Sequence, residues 1–148
     1  MSLKERVNED MKAAMRARDT GRLSAIRLLL AAIKQKEVDE RIEADDAQVV
    51  AVVDRLLKQR KDSIEQFEAA GRQELADRER AEAEVLAAYL PQQASDAEVA
   101  AEIETALAAT GASGPRDMGR VMAVLKGRLA GRADLTAVSA SVKARLAG

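Results

Sequence analysis

The sequence contains no cysteine and no histidine among its 148 residues, and aromatic residues make up only 1% of it. These absences exclude disulfides, thiol nucleophiles and zinc sites of the usual kind. They also remove the side chain that most often transfers protons near neutral pH. Most enzyme mechanisms are therefore disfavoured, and we predict no catalytic residue, no metal site and no cofactor for this chain.

Long apolar stretches are also missing. No segment approaches the ~20 apolar residues that cross a bilayer, and the first residues lack the apolar stretch of a signal peptide. Charged residues make up 33% and hydrophobic residues 47% of the chain, which is typical of a folded globular protein. We therefore expect a cytoplasmic protein that has no membrane partner.

The charges are unevenly distributed, although the net charge is only −1. Residues 1–61 carry 14 Lys and Arg against 11 Asp and Glu, residues 62–113 carry 3 against 12, and residues 114–148 carry 7 against 2. The near-zero total argues against indiscriminate binding of nucleic acid, so DNA is not an expected partner. The basic C-terminal part can still contact phosphate groups.

Apolar residues recur with a period of 3.6 in nearly every segment, which predicts an all-α protein. Pro91 ends the fourth predicted helix, and Ser95 with Glu98 offers a capping box for the next one. We therefore predict a larger N-terminal helical bundle over residues 1–90 and a small three-helix C-terminal bundle over residues 95–148. The two large aromatic side chains, Phe67 and Tyr89, are expected in the core of the first bundle.

Basic residues in the C-terminal bundle lie opposite or beside the apolar stripes of its helices, or in the turn between them. The candidates for RNA contact are Arg116, Arg120, Lys126, Arg128, Arg132 and Lys143. Such a surface suits a phosphate backbone, and the lack of an exposed aromatic platform favours a folded RNA over single-stranded bases. The alternative is an ordinary solvated helix exterior, which is the more frequent role of charged helix faces.

Three charged residues of the N-terminal part, Arg27, Arg60 and Glu82, fall within the apolar stripes of their helices. An unpaired buried charge is costly, so we predict a partly buried ion pair between Arg60 and Glu82, joined by Arg27. The alternative is that these residues form a polar interaction surface.

Several short motifs, in order along almost the whole chain, resemble those of the YqeY family of small bacterial proteins. They are Arg22-Leu-Ser-Ala-Ile-Arg27, Gln59-Arg-Lys-Asp-Ser-Ile-Glu-Gln-Phe67, Ala81-Glu82, Tyr89-Leu-Pro-Gln-Gln93, Asp117-Met-Gly-Arg-Val-Met122 and Gly131-Arg-Ala-Asp134. The family is related to the C-terminal tail region of the B subunit (GatB) of the tRNA-dependent amidotransferase.

The resemblance implies an all-helical fold of two parts and a noncatalytic role as a tRNA-binding or amidotransferase-related accessory protein. The implied partners are tRNA and an amidotransferase or an aminoacyl-tRNA synthetase. A second implied role is that of a component of a glutamine-dependent carbon–nitrogen ligase that acts with other subunits. The residues themselves leave a third role open, a protein-interaction adaptor that works without RNA through the acidic middle section and the long third helix.

Overall fold

The computed structural model describes residues 1–148 and contains seven α-helices, one 3₁₀ turn and no β-strand. The elements are α1 (Leu3–Ala17), α2 (Thr20–Glu40), α3 (Asp46–Ala69), α4 (Gln73–Ala87), α5 (Asp96–Thr110), the 3₁₀ turn (Pro115–Asp117), α6 (Met118–Leu129) and α7 (Leu135–Ala147). The prediction of an all-α protein is confirmed.

Local hydrogen bonds explain where several helices begin. The Ser2 side chain accepts from the backbone N–H of Glu5, whose carboxylate accepts in return from the Ser2 backbone, and Asp45 and Gln48 form the same reciprocal pair at α3. Both arrangements satisfy N–H groups that have no partner within the helix. The starts of α1 and α3 are therefore set by residues within one helical turn.

The chain divides into two compact units, Met1–Leu90 and Pro91–Gly148. In the first unit α3 packs along α4, α1 packs on α2, and α2 also contacts α3 and α4. The buried core comprises Val7, Ala14, Ile26, Leu29, Ile33, Ala44, Val49, Val52, Val53, Leu56, Leu86 and Tyr89. All four helices of the unit contribute to this list or pack against it.

The two aromatic side chains of this unit differ in their surroundings. Tyr89 is 3% exposed, and its hydroxyl donates a hydrogen bond of 2.6 Å to the Asp10 carboxylate on α1. Phe67 lies near the end of α3, is only half-buried and is not part of the core cluster. The expectation that Phe67 is a core residue is therefore wrong, because the last turns of α3 extend past the side chains that form the core.

The second unit is built around α6. This helix packs against α5 and against α7, and the 3₁₀ turn contacts both α6 and α7. Its core comprises Ile103, Ala106, Val121, Leu125, Leu129, Val138, Val142 and Leu146. The segment before α5 is tied to the α6–α7 connection, since Gln93 Nε2 donates to the Gly131 carbonyl at 2.7 Å and the Ala94 N–H donates to the Arg132 carbonyl at 2.8 Å.

None of the seven helices combines the length and the apolar composition that crossing a membrane requires.

Candidate functional site

The six candidate RNA-contacting residues all lie in the second unit, on the 3₁₀ turn, on α6, on α7 and in the connection between the two helices. Arg132 is half-buried and the other five are exposed. They differ in whether a carboxylate neutralises them. Three form ion pairs within the unit, and three form none.

The acidic residues of α5 neutralise several of the arginines. Arg128 of α6 donates from its guanidinium to both carboxylate oxygens of Glu102, at 2.9 Å from Nη2 to Oε1. The hydrogen bond from Arg128 lowers the pKa of Glu102 and raises that of Arg128. Arg132 Nη2 lies 3.0 Å from Glu98 Oε2, and its Nε donates to the Gln92 carbonyl.

Arg120 is held by the loop that precedes α6. Its Nη2 lies 2.5 Å from Asp117 Oδ1, and its Nη1 donates to the Thr110 carbonyl at 3.1 Å. The other oxygen of Asp117 accepts from the backbone N–H groups of Ser113 and Gly114. These backbone donors, together with Arg120, lower the pKa of Asp117 to about 2, so the carboxylate is ionised near neutral pH.

Arg116, Lys126 and Lys143 are exposed and take part in no ion pair. Two residues along an α-helix correspond to about 200° of rotation, so side chains at such spacing point in nearly opposite directions. Arg128 is paired with α5, and Lys126 precedes it by two residues. In α7, Arg145 pairs with Glu104 of α5, and Lys143 lies two residues before Arg145. The two lysines therefore point away from the carboxylates of α5.

A strip of small residues runs along the exposed side of α6. Gly119, Ala123 and Gly127 are spaced four apart and are all exposed, so they share one face of the helix. A Cβ added to either glycine would meet no atom within 4 Å. Lys126 lies three residues from Ala123, which places it beside the strip. We refer to Arg116, Lys126, Lys143 and this strip together as the cationic face.

The acidic residues of α5 were counted with the acidic middle section, but their pairing with arginines of the second unit was not predicted. Residues 91–148 carry seven Lys and Arg against six Asp and Glu. The basic excess of residues 114–148 is therefore largely balanced within the second unit. The i+4 spacing of Glu98 and Glu102 on α5 was a usable signal, because it puts two carboxylates on one side of that helix.

Of the three charged residues expected in the interior of the first unit, two come together. Arg60 Nη2 of α3 lies 2.9 Å from Glu82 Oε2 of α4, and both side chains are about one-fifth exposed. Glu79, one turn earlier on α4, adds a second carboxylate 3.1 Å from Arg60 Nη1. The geometry is imperfect, since Arg60 Nε and Glu79 Oε2 are buried and make no hydrogen bond.

Arg27 does not join this group. It is exposed and forms no ion pair, whereas Ala25, Ile26 and Leu29 are the buried residues of this part of α2. The inclusion of Arg27 was wrong, because the buried side of α2 is narrower than the apolar stripe inferred from the sequence.

No group of three or more acidic side chains in the chain is arranged so that it could hold a metal ion.

These features describe an all-helical protein of two units whose second unit carries the exposed, unpaired cations of the cationic face. The chain belongs to the YqeY family: the model of that family, described as Yqey-like protein, matches residues 4–146.

Three relatives that share one name illustrate what this chain is similar to. The chain is 38% identical over 112 residues to altered inheritance of mitochondria protein 41, mitochondrial, of Lachancea thermotolerans, covering 74% of this chain and 60% of the relative. The proteins of that name from Eremothecium gossypii and Saccharomyces cerevisiae are 36% and 38% identical over 85 and 84 residues. Those matches cover 57% and 56% of this chain and 46% and 45% of the relatives. The chain thus spans less than two thirds of the length of each.

These relatives contradict two expectations from the sequence. A bacterial protein and a cytoplasmic location were expected, whereas the relatives come from yeasts and are named as mitochondrial proteins. Composition and the lack of a long apolar stretch exclude a membrane-spanning helix. They carry no information on the compartment in which a protein is found, so the expectation of a cytoplasmic location had no support from them.

Proposed function

We propose that this protein is a noncatalytic RNA-binding accessory factor whose second unit contacts the backbone of a folded RNA, with tRNA as the expected ligand. The observation that carries the proposal is the set of three exposed cations, Arg116, Lys126 and Lys143, that no carboxylate neutralises. An unpaired cation can form an ion pair with phosphate without first giving up a partner.

The strip of small residues supports the same assignment. Glycine inside a helix costs up to about 1 kcal/mol relative to alanine, so Gly127 weakens α6, whereas Gly119 lies in its first turn. Close packing within the protein does not account for them, since no neighbouring atom lies within 4 Å of the position of a Cβ. We infer that they leave room for a nucleic-acid backbone to approach α6 beside Lys126.

The paired arginines have a different part in the proposal. Arg120, Arg128 and Arg132 are held by Asp117, Glu102 and Glu98. Their contact with RNA would require breaking those pairs or sharing the guanidinium with them. We assign them mainly to holding α5, α6 and the loop before α6 in register, with weaker contributions to RNA affinity.

The proposal includes the two-part arrangement, a larger N-terminal bundle and a three-helix C-terminal bundle that carries the RNA-contacting residues. Its support is the separate buried core of each unit. Expression of residues 91–148 alone tests this part of the proposal. We expect a cooperative thermal transition for the fragment, and an unfolded fragment would contradict the arrangement.

The RNA assignment is tested by the salt dependence of tRNA binding by the full-length chain. Each phosphate contact removed should reduce the slope of log K against log salt by about 0.7 to 0.9. We therefore expect lower slopes for Arg116→Gln, Lys126→Gln and Lys143→Gln.

Two controls separate a specific surface from general attraction. Lys61→Gln removes an exposed lysine that forms no ion pair from the first unit, and we expect an unchanged slope. Glu98→Gln frees Arg132 and should raise RNA affinity slightly. Equal slopes for wild type and the three variants of the cationic face would refute the assignment. So would equal effects of Lys61→Gln and Lys126→Gln.

The role as a component of a glutamine-dependent carbon–nitrogen ligase rests on the family resemblance alone, and so do an amidotransferase and an aminoacyl-tRNA synthetase as partners. An assay with glutamine, ATP and misacylated tRNA distinguishes this role from the accessory role. We expect no turnover by the isolated chain. Turnover without other subunits would overturn the noncatalytic proposal.

A further inference from the structure

The second unit also contains an open groove on a side separate from the cationic face. It lies between α5 and α7 and has a volume of about 620 Å³. Both helices pack against α6, but they do not form a packed pair with each other. Val99 lines the groove with partly exposed apolar surface, and Ile103 and Val138, at 6% and 3% exposed, form its floor.

Small side chains keep the groove open. Ala100 on α5, and Ala137 and Ser141 on α7, line it and are exposed. Ala137 and Ser141 are four residues apart and therefore share one face of α7. Helices pack at axial separations of about 8 to 10 Å, with large side chains of one helix between those of the other. Small residues on both walls leave space for large side chains from a third helix.

The charges of the groove are unequal at its two ends. At the end where α5 begins and α7 begins lie Asp96 and Asp134, and neither forms an ion pair. Asp134 Oδ1 accepts a hydrogen bond of 2.9 Å from the Thr136 N–H. At the other end Glu104 and Arg145 neutralise each other. One end is therefore negative and the other is close to neutral.

We infer that this groove binds an amphipathic helix of another protein, one with a stripe of large apolar residues and with Lys or Arg at the end that meets Asp96 and Asp134. From Asp96 to Glu104 the groove runs about 12 Å along α5, which corresponds to roughly two turns of a bound helix. Apolar anchors in a helical groove supply affinity, and the cation at the acidic end sets the direction in which the helix binds.

A second copy of this chain is a poorer occupant. The exposed large apolar residues are Met1, Met15, Leu28 and Val38. They lie on two helices and at the first residue, and Leu28 and Val38 are nearly three turns apart on α2. No helix of this chain therefore presents the exposed apolar stripe that the groove accommodates.

The test uses two synthetic helical peptides of about 18 residues, long enough to exceed the groove. Both have the same leucine stripe, and one carries lysines where the other carries glutamates. Fluorescence anisotropy measures their binding to the full-length protein. We expect the lysine peptide to bind about tenfold more tightly than the glutamate peptide. Asp96→Lys leaves Asp134 as the one negative charge and makes this end neutral, so we also expect it to abolish the preference.

Matched leucine substitutions locate the binding site. Ala100→Leu and Ala137→Leu fill the groove, and we expect about tenfold weaker binding of the lysine peptide. Ala101→Leu and Ala140→Leu add the same side chain at exposed positions of α5 and α7 outside the groove, and should leave binding unchanged. Thermal unfolding of all four variants checks that the fold is retained.

Four results would overturn the inference. The first is that neither peptide binds, and the second is that the groove variants and their controls weaken binding equally. The third is a change in the occupant: loss of tRNA binding in Ala100→Leu would indicate RNA in the groove. A concentration-dependent dimer in sedimentation that Ala100→Leu abolishes would likewise indicate a second copy of the chain.

Discussion

Replacement of Arg60 by alanine should destabilise the first unit by about 2 kcal/mol, a value intermediate between the costs known for buried and exposed ion pairs. Breaking a fully buried pair costs about 3 to 5 kcal/mol because it leaves an uncompensated charge, whereas an exposed pair contributes about 0 to 1 kcal/mol. The Arg60 side chain is 18% exposed, and those of Glu79 and Glu82 are 21% and 20% exposed. Removal of Arg60 would also leave two carboxylates close together without a cation.

Urea-induced unfolding measures the change in stability caused by Arg60→Ala, and the fluorescence of Tyr89 serves as the probe. Tyr89 is the only tyrosine, there is no tryptophan, and Tyr89 is buried in the first unit. Its fluorescence therefore reports the unfolding of residues 1–90 without interference from the second unit. A lower urea midpoint at an unchanged m value would indicate lost stability rather than a changed extent of unfolding.

Arg55→Ala is the matched control, because Arg55 lies on the same helix, is exposed and forms no ion pair. Arg27→Ala is a second control, and we expect both to change the free energy of unfolding by less than about 0.5 kcal/mol. The triple variant Arg60→Ala, Glu79→Gln, Glu82→Gln should recover part of the loss, since it leaves no unpaired carboxylate. Equal shifts for Arg60→Ala and Arg55→Ala would refute the argument.

Three further predictions concern single groups. Tyr89→Phe removes the hydrogen bond to Asp10, and we expect the free energy of unfolding to fall by about 1.5 kcal/mol in urea unfolding followed by circular dichroism. Burial and Asp10 raise the pKa of Tyr89, so tyrosinate absorbance in the folded wild-type protein should appear only well above pH 10. The hydrogen bond from Lys4 is the main cause that lowers the pKa of Glu37 from 4.5. The contribution of Glu37 to stability is therefore complete above pH 4.5 and is lost as the pH falls through the lowered pKa. Glu37→Gln should flatten this acid dependence of the thermal unfolding temperature, and an unaltered pH profile would contradict the assignment. Gly127→Ala should stabilise α6 by about 0.5 to 1 kcal/mol. Gly111 has a φ of +64, so Gly111→Ala should destabilise the end of α5 by about 1 kcal/mol. Calorimetry measures both stability changes, and changes of the same sign would disprove the reasoning.

The cationic face and the groove are formed by different residues of the second unit. Lys126 and Lys143 point away from α5, whereas the groove lies between α5 and α7 and carries its charge at Asp96 and Asp134. An RNA backbone on one and a helix in the other need not compete for residues. Variants of the cationic face should therefore leave peptide binding intact, and groove variants should leave tRNA binding intact.

The sequence by itself determined the helices. Capping boxes at Ser2 and Asp45 and the proline at position 91 act within one or two turns, so they can be recognised without knowledge of the rest of the chain. The same holds for the choice of helix over strand, because side-chain periodicity is a local property of the backbone. The family, too, could be inferred from motifs in order along the chain.

Only the tertiary structure decided which charges are free. Arg27 and Arg60 looked alike in the sequence, yet only Arg60 faces carboxylates, which α4 supplies from 19 and 22 residues further along the chain. Likewise the pairing of Arg128 with Glu102 depends on how α5 packs against α6. Whether a charge is neutralised depends on its neighbours in space, and the periodicity of a single helix contains no information about them.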